Sequence, residues 1–253
     1  LTARKPPARK TQAQKAERVV AGVDRQVVRG FGSRLRRWYR SNARDLPWRQ
    51  TRDPYHVLVS ELMLQQTQVS RVVGFYAAFL ERFPTLSHVA QSPVAGVLEQ
   101  WEGLGYYARA RNLHQLALRV TVDGAHGGVL PPEPHHLQAL PGIGAYTAGA
   151  VASFAYERRA PLVDTNVARV LLRVFAPRFS PKSAQGQKVA WALASASLPR
   201  TGRSTWTHNQ ALMELGALVC RAHVKACVGC PVRNFCKTAQ NENVSSKPAA
   251  VTP

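Results

Sequence analysis

Apolar residues recur along this chain at intervals of three and four, interrupted by short stretches rich in glycine and proline. That spacing predicts helices over 55–66, 69–83, 93–101, 106–122, 134–139, 145–156, 164–175, 184–196 and 207–219. Another helical stretch runs from Phe31 through Leu35, Trp38 and Tyr39, and the segment Arg44 to Arg49 breaks it because Pro47 cannot continue a helix. The other breaks fall at Phe83-Pro84-Thr85, Gly103-Leu104-Gly105, Gly124 to Pro132, Pro141-Gly142-Ile143-Gly144 and Ala176 to Pro181. No sustained alternation of period two appears between hairpin turns, so the expected fold class is all-α. No internal repeat of fixed period is visible.

Some positions fit this pattern poorly, and they are the chemically interesting ones. Val57, Leu58 and Leu62 define the apolar face of the helix over 55–66, and Glu61 lies on or beside it. A carboxylate there is paired, protonated or employed in chemistry, or it turns aside to the rim. Gln65, Gln66 and Thr67 then form a donor and acceptor cluster at the helix end, suited to solvent or to nucleic acid. Leu140-Pro141-Gly142-Ile143-Gly144 joins two helices. Two glycines at a helix start expose backbone N–H groups, which suits a phosphate as well as a tight turn. Asp164 stands where the helix over 164–175 begins, a capping position that also fixes the direction of its charge. In Trp101 to Arg111, a glycine turn is combined with aromatic rings and arginines, a mixture fit for base stacking and phosphate contact.

Charge narrows the class of partner. The 253 residues are enough for one large or two modest domains, and 34 Lys and Arg against 14 acids give a net charge of +20. So basic a chain expects a polyanion, DNA or RNA before an anionic membrane, since no apolar run reaches membrane-spanning length. The N-terminus is basic but lacks the apolar segment of a secretory signal, and the expected location is intracellular, in the cytoplasm or nucleoid. Residues 1–28 are expected to form a disordered basic arm, helical only towards its end, and residues 237–253 a disordered polar tail.

All four cysteines, Cys220, Cys227, Cys230 and Cys236, fall within 17 residues. That clustering argues against a disulfide framework and for a tetrahedral sulfur site. Zinc and an iron–sulfur cluster both remain open on spacing. One close pair with longer arms leans towards a cluster. Arg221, Lys225, Arg233 and Lys237 surround the loop with positive charge.

Together these pieces resemble the helix-hairpin-helix superfamily of DNA glycosylases, and within it the MutY-type adenine glycosylases. The resemblance rests on Leu46-Pro47-Trp48-Arg49, Ser60 to Thr67, Gly103 to Asn112, Leu140 to Thr147, Val163 to Val167 and the four cysteines, in the family's order, over roughly residues 34 to 236. Leu64-Gln65-Gln66-Thr67 and Gly103-Leu104-Gly105-Tyr106-Tyr107 set it apart from endonuclease III relatives. The resemblance implies two lobes with the active site between them. A six-helix barrel with the hairpin covers 46–158, and 29–45 with 159–236 form a lobe whose four cysteines hold a [4Fe–4S] cluster. It implies a monomer acting on double-stranded DNA with adenine opposite 8-oxoguanine or guanine, the adenine being flipped out and released.

The same resemblance assigns roles to residues. Glu61 would protonate adenine at N7. Asp164 would stabilise the sugar oxocarbenium ion, with a transient covalent acetal as family chemistry suggests. Tyr146 and Asn166 would orient water, base or Asp164. Arg49, Gln65, Gln66, Thr67, Tyr106 and the hairpin residues Leu140, Gly142 and Gly144 would contact DNA, with Gln66 and Tyr106 entering the stack around the mispair. Lyase relatives carry a lysine where this chain has Tyr146, and no lysine occurs between Lys15 and Lys182, so an efficient strand-cutting step is not expected. Two departures stand out. Asp164-Thr165-Asn166 replaces the family's usual Asp-Gly-Asn, and only 17 residues follow Cys236, where typical members continue into a lesion-reading domain; weakened discrimination between 8-oxoguanine and guanine is therefore expected. The competing readings are an endonuclease III-like glycosylase/lyase, a T/G mismatch glycosylase and a non-catalytic iron–sulfur DNA-binding protein.

Overall fold

The computed structural model describes residues 11–123, 128–223 and 227–245, and all regular structure among them is helical. In chain order the helices are α1 Gln12–Ala21, α2 Arg25–Asn42, α3 Pro54–Leu64, α4 Val69–Arg82, α5 Leu86–Gln91, α6 Val94–Gln100, α7 Ala108–Thr121, α8 Pro134–Gln138, α9 Ala145–Phe154, α10 Thr165–Phe175, α11 Ala184–Ser197, α12 Gly202–Leu218 and α13 Lys237–Ser245. They divide into two compact units. One is drawn from the residues up to Asn42, Val163–Leu198 and those from Gln210 onward. The other comprises Ala43–Leu162 and Pro199–Asn209.

The 43–162 unit is built around α3. Asp53 caps it by accepting from the Tyr55 and His56 amides at 2.8 and 3.0 Å, and Pro54 fills the first position, where no N–H is needed. Tyr55 and every residue from Val57 to Met63 are buried. A helix covered on all sides belongs at the centre of a core. Its partner α9 is also buried from Thr147 to Phe154, and its small residues let neighbouring backbone come close. A Cβ at Gly149 would lie 2.1 Å from the Pro161 carbonyl oxygen. Helices α5 and α6 pack on α7 through Val89, Val97, Leu113, Leu116 and Val120, each removed from water and contributing about 1.5–3 kcal/mol.

In the other unit, Phe31, Leu35 and Tyr39 of α2 repeat at four-residue spacing and are buried, with the Phe31 ring edge-on to Phe175 of α10 at 5.1 Å. Helix α10 buries most of its length, and α11 packs between α10 and α1.

Several sequence expectations need correction. The expected arm is helical over more than its end: α1 covers Gln12–Ala21 and α2 begins at Arg25, a Thr11–Gln14 capping box starts α1, and α1 packs on α11 with Ala16 buried. The polar stretch after Cys236 forms α13, which packs on α10 through Ala239. Residues 1–10 and 246–253 of the expected arm and tail, and part of the break from Gly124 to Pro132, lie outside the described residues. Helix α5 was missed because six residues show too little periodicity. The segment Pro199–Asn209 groups with Ala43–Leu162.

Candidate active site

Glu61 is 3% exposed, on the face of α3 that meets the first turn of α9. Tyr146, the second residue of α9, donates its hydroxyl to Glu61 Oε2 at 2.8 Å. Just past the end of α3, Gln65 Nε2 donates to Thr147 Oγ1 at 3.4 Å. Packing of two nearly all-apolar helices thus brings together a carboxyl, a phenol, an amide and a hydroxyl. Such a carboxyl can hold a proton and deliver it to a basic nitrogen, with the phenol fixing its orientation.

Helix α3 stops at Leu64, two residues short of the predicted end. Gln65 is extended, and Gln66 is exposed in the left-handed region at φ 57°. The segment Gly103 to Tyr106 turns through three positive φ values: 89° at Gly103, 71° at Gly105 and 48° at Tyr106. Tyr106 is 59% exposed. Both segments converge on a residue to which sequence reasoning gave no individual role. Arg109, buried on α7, donates to the carbonyls of Leu62, Met63 and Gln65 at 2.8, 2.8 and 2.6 Å, and to those of Leu104 and Gly105 at 3.2 and 2.9 Å. It also reaches Thr67 Oγ1 at 3.3 Å. A guanidinium at the end of α3 satisfies carbonyls the helix leaves unpaired and matches the dipole there.

The hairpin is α8, the turn from Leu140, and α9. Gly142 adopts φ +74°, and a Cβ there would lie 2.6 Å from Asn112 Cβ. Gly144 caps α9 without a side-chain bond, and a Cβ there would meet nothing within 4 Å. The start of α9 thus has room beside its cap, where a helix N-terminus suits an anion. Leu140 is 3% exposed, so its side chain belongs to the core, and its amide and carbonyl are bonded within the turn to the Leu137 carbonyl at 3.0 Å and the Ile143 amide at 3.2 Å. Arg49 is half-buried in the Pro47–Arg49 turn and donates to the Arg44 carbonyl at 2.9 Å.

In the other unit, Asp164 caps α10, with Oδ1 accepting from the Val167 amide at 2.6 Å and Oδ2 from Asn166 Nδ2 at 3.1 Å. Arg169 then donates to Asn166 Oδ1 at 2.7 Å, to the Gly216 carbonyl at 2.9 Å and to the Cys220 carbonyl at 2.8 Å. A hydrogen-bonded chain thus runs from Asp164 to the first cysteine, and Arg169 is a second buried arginine the sequence did not single out. Burial pushes the Asp164 carboxyl above its ordinary range, opposed by the Val167 amide, Asn166 and the charge of Arg169. Thr165 takes the first helical position with no left-handed backbone, so replacing glycine there introduces no strain.

The four cysteines are half-buried, form no disulfide with one another, and line one cavity with Val170, Val174, Leu215 and Val232. Arg173 Nη1 approaches Cys220 Sγ at 3.4 Å and also binds the Arg221 carbonyl at 2.7 Å. Burial, with smaller repulsion from the other three sulfurs, pushes the Cys230 thiol up to about 11. Among the described residues, no three His, Cys, Asp or Glu side chains are set to hold a single metal ion.

Residues 59–194 match the family model of the HhH-GPD superfamily base excision DNA repair proteins. The chain is 41% identical to human adenine DNA glycosylase over 222 residues, 84% of this chain and 40% of that protein. It is 45% identical to adenine DNA glycosylase of Mycolicibacterium smegmatis over 197 residues, 77% of this chain and 65% of that protein. It thus spans about two fifths to two thirds of the length of these relatives. Among solved structures, a thermostable thymine-DNA glycosylase aligns with TM-score 0.77 and 29% identity, covering 85% of this chain and 98% of that one. An endonuclease III–DNA covalent intermediate aligns with TM-score 0.71 and 22% identity over 87% of this chain and 99% of that one, which speaks to the fold alone.

Proposed function

The chain belongs to the HhH-GPD superfamily of base excision DNA repair proteins, and from that premise we propose that it removes adenine mispaired with 8-oxoguanine or guanine in double-stranded DNA. The observation that carries the reading is the buried Glu61 carboxyl held by the Tyr146 phenol at 2.8 Å. Adenine leaves poorly as an anion. Glu61 transfers its proton to N7 of the flipped base, the C1′–N9 bond breaks with its electron pair moving to adenine, and positive charge develops on the sugar. Asp164 is the carboxylate assigned to stabilise that cation, with Asn166 fixing its second oxygen. Water then adds at C1′, and the proton it releases restores the Glu61 carboxyl. The amides at the α9 N-terminus take a phosphate, and Gln66 and Tyr106 enter the stack where the adenine has left it.

Cys220, Cys227, Cys230 and Cys236 would hold a [4Fe–4S] cluster. All four line one cavity, and the Arg173 guanidinium beside Cys220 supplies positive charge that would offset metal-bound thiolates. The cluster's contribution is structural, ordering a basic loop. With a tyrosine at position 146, the chain carries no amine there for an imine, and strand cleavage is not part of the reaction.

The test is single-turnover base release on duplexes holding A opposite 8-oxoguanine, A opposite G and T opposite G. Adenine should be released and thymine retained. Glu61→Gln should bind the A-containing duplex and lose at least ~100-fold in rate, the usual scale of general acid catalysis. A rate within about tenfold of the parent would remove Glu61 from the chemistry. Thymine release would transfer the reading to the class of the thymine-DNA glycosylase.

A further inference from the structure

Non-glycine residues rarely take the left-handed backbone region, and such strain persists only where the surroundings over-determine it. Among the described residues, three do so: Gln66, Tyr106 and Glu157. The first two lie forty positions apart in sequence yet line the same open groove, with Tyr107, Arg111 and Asn112 alongside. Neither strained side chain serves the core, since both are exposed. What they share is Arg109. Its guanidinium binds the carbonyl just before Gln66 and the carbonyls of Gly105 and Tyr106, at 2.6, 2.9 and 3.4 Å. It also reaches Thr67, just after Gln66. The guanidinium carbon lies 5.5 Å from the Trp101 and Tyr106 ring centres, so aromatic faces help hold its plane.

We propose that Arg109 is a positioning residue for DNA recognition: one guanidinium clamps two separate loops so that Gln66 and Tyr106 meet the duplex as a matched pair. The proposal rests on their assignment to DNA contact and not on the identity of the base removed. Only a planar fork of five donors reaches both loops at once. A lysine ammonium has three donors on a compact head and satisfies one loop at a time. An ordinary α3 terminus would need only glycine in the left-handed position. Retaining glutamine there makes sense when its side chain must project in a fixed direction.

Two measurements test the clamp, both on the full chain. The first is amide hydrogen exchange without DNA, for the parent, Arg109→Lys and Thr67→Val. Arg109→Lys should speed exchange at least tenfold in both 65–67 and 103–107, leaving α4 and α11 protected. Thr67→Val alters one loop only, yet should also loosen 103–107, because the link runs through Arg109. Loosening confined to 65–67 in Thr67→Val would overturn the coupling even if Arg109→Lys failed to fold.

The second is binding to a duplex carrying a tetrahydrofuran abasic analogue opposite guanine, against the same duplex fully paired. No adenine is removed from this probe, so its outcome stands apart from the base-release assay. The preference for the abasic duplex should fall at least tenfold in Arg109→Lys. In a Gln66→Ala/Tyr106→Ser background, adding Arg109→Lys should change it less than twofold, since the residues it acts through are gone. Equal losses in both backgrounds would make Arg109 a structural residue only. A parent that shows no preference for the abasic duplex would overturn the proposal.

Discussion

Glu61 and Asp164 are both carboxylates in sheltered positions, and their surroundings differ in kind. Tyr146 is Glu61's hydrogen-bond partner from α9, so Tyr146→Phe should slow base release about tenfold, the worth of one hydrogen bond of ~1.4 kcal/mol, with little change in duplex affinity. An unchanged single-turnover rate would reduce the phenol to packing. Asp164 has a raised pKa from burial, so folding favours its protonated form. Its charge costs stability above that raised pKa, and the cost fades as pH falls to where aspartate is protonated folded or unfolded. Asn caps a helix as well as Asp does. Asp164→Asn should therefore melt at higher temperature than the parent near about pH 7, with the gap closing towards about pH 4, while base release collapses. A variant that melts lower at neutral pH would contradict this. Glu61 and Asp164 were legible in the sequence because each breaks a pattern, one as an acid on an apolar face, the other as a polar residue before an apolar run. Arg109 and Arg169 were not. Arginine on a helix ordinarily points to solvent, and nothing in local spacing shows that loop carbonyls 44 to 51 positions away will gather around it.

Among the elements, α9 has one glycine at its cap and one in its interior, with opposite physical meanings. Gly149 is forced by packing, because a Cβ would sit 2.1 Å from the Pro161 carbonyl oxygen. Gly144 is open, with nothing within 4 Å. Gly149→Ala should cost about 1–3 kcal/mol or more in denaturant unfolding, the scale of overpacking a tight core. Gly144→Ala should leave the midpoint nearly unchanged and weaken duplex binding, since a methyl group would stand at the amides proposed to take a phosphate. Equal duplex affinity for Gly144→Ala and the parent would remove the hairpin from the phosphate contact. The long helices were legible because their apolar faces are wide and their ends carry Asp, Pro or Gly. The short or polar ones were not: α1 is polar over most of its surface, and α13 is a run of polar residues. Both are held by tertiary packing that propensity does not encode.

For the whole molecule, the net charge of +20 sets the scale of duplex binding. If the bound surface neutralises six or more phosphates, affinity should fall roughly 10³-fold or more between about 50 and 200 mM salt, linearly on logarithmic axes. A flat salt dependence would mean that the excess charge lies away from the duplex. Among the described residues, no helix is long and apolar enough to cross a membrane. The two-unit division was legible only in part, because a helix such as α12 shows no break where its residues pass from one unit to the other, between Asn209 and Gln210.

That division also fixes an order of events on the ribosome. The 43–162 unit emerges as a nearly continuous stretch, completed by 199–209, whereas its neighbour is gathered from three separated segments. Phe31 must wait for Phe175, and both wait for the stretch that carries all four cysteines. Nascent chains fold from the N-terminus as they emerge. Helix α2 is thus held without its partners until residues 163–198 and those from Gln210 onward have emerged, a demand on cellular chaperones that eases only when that last stretch is free.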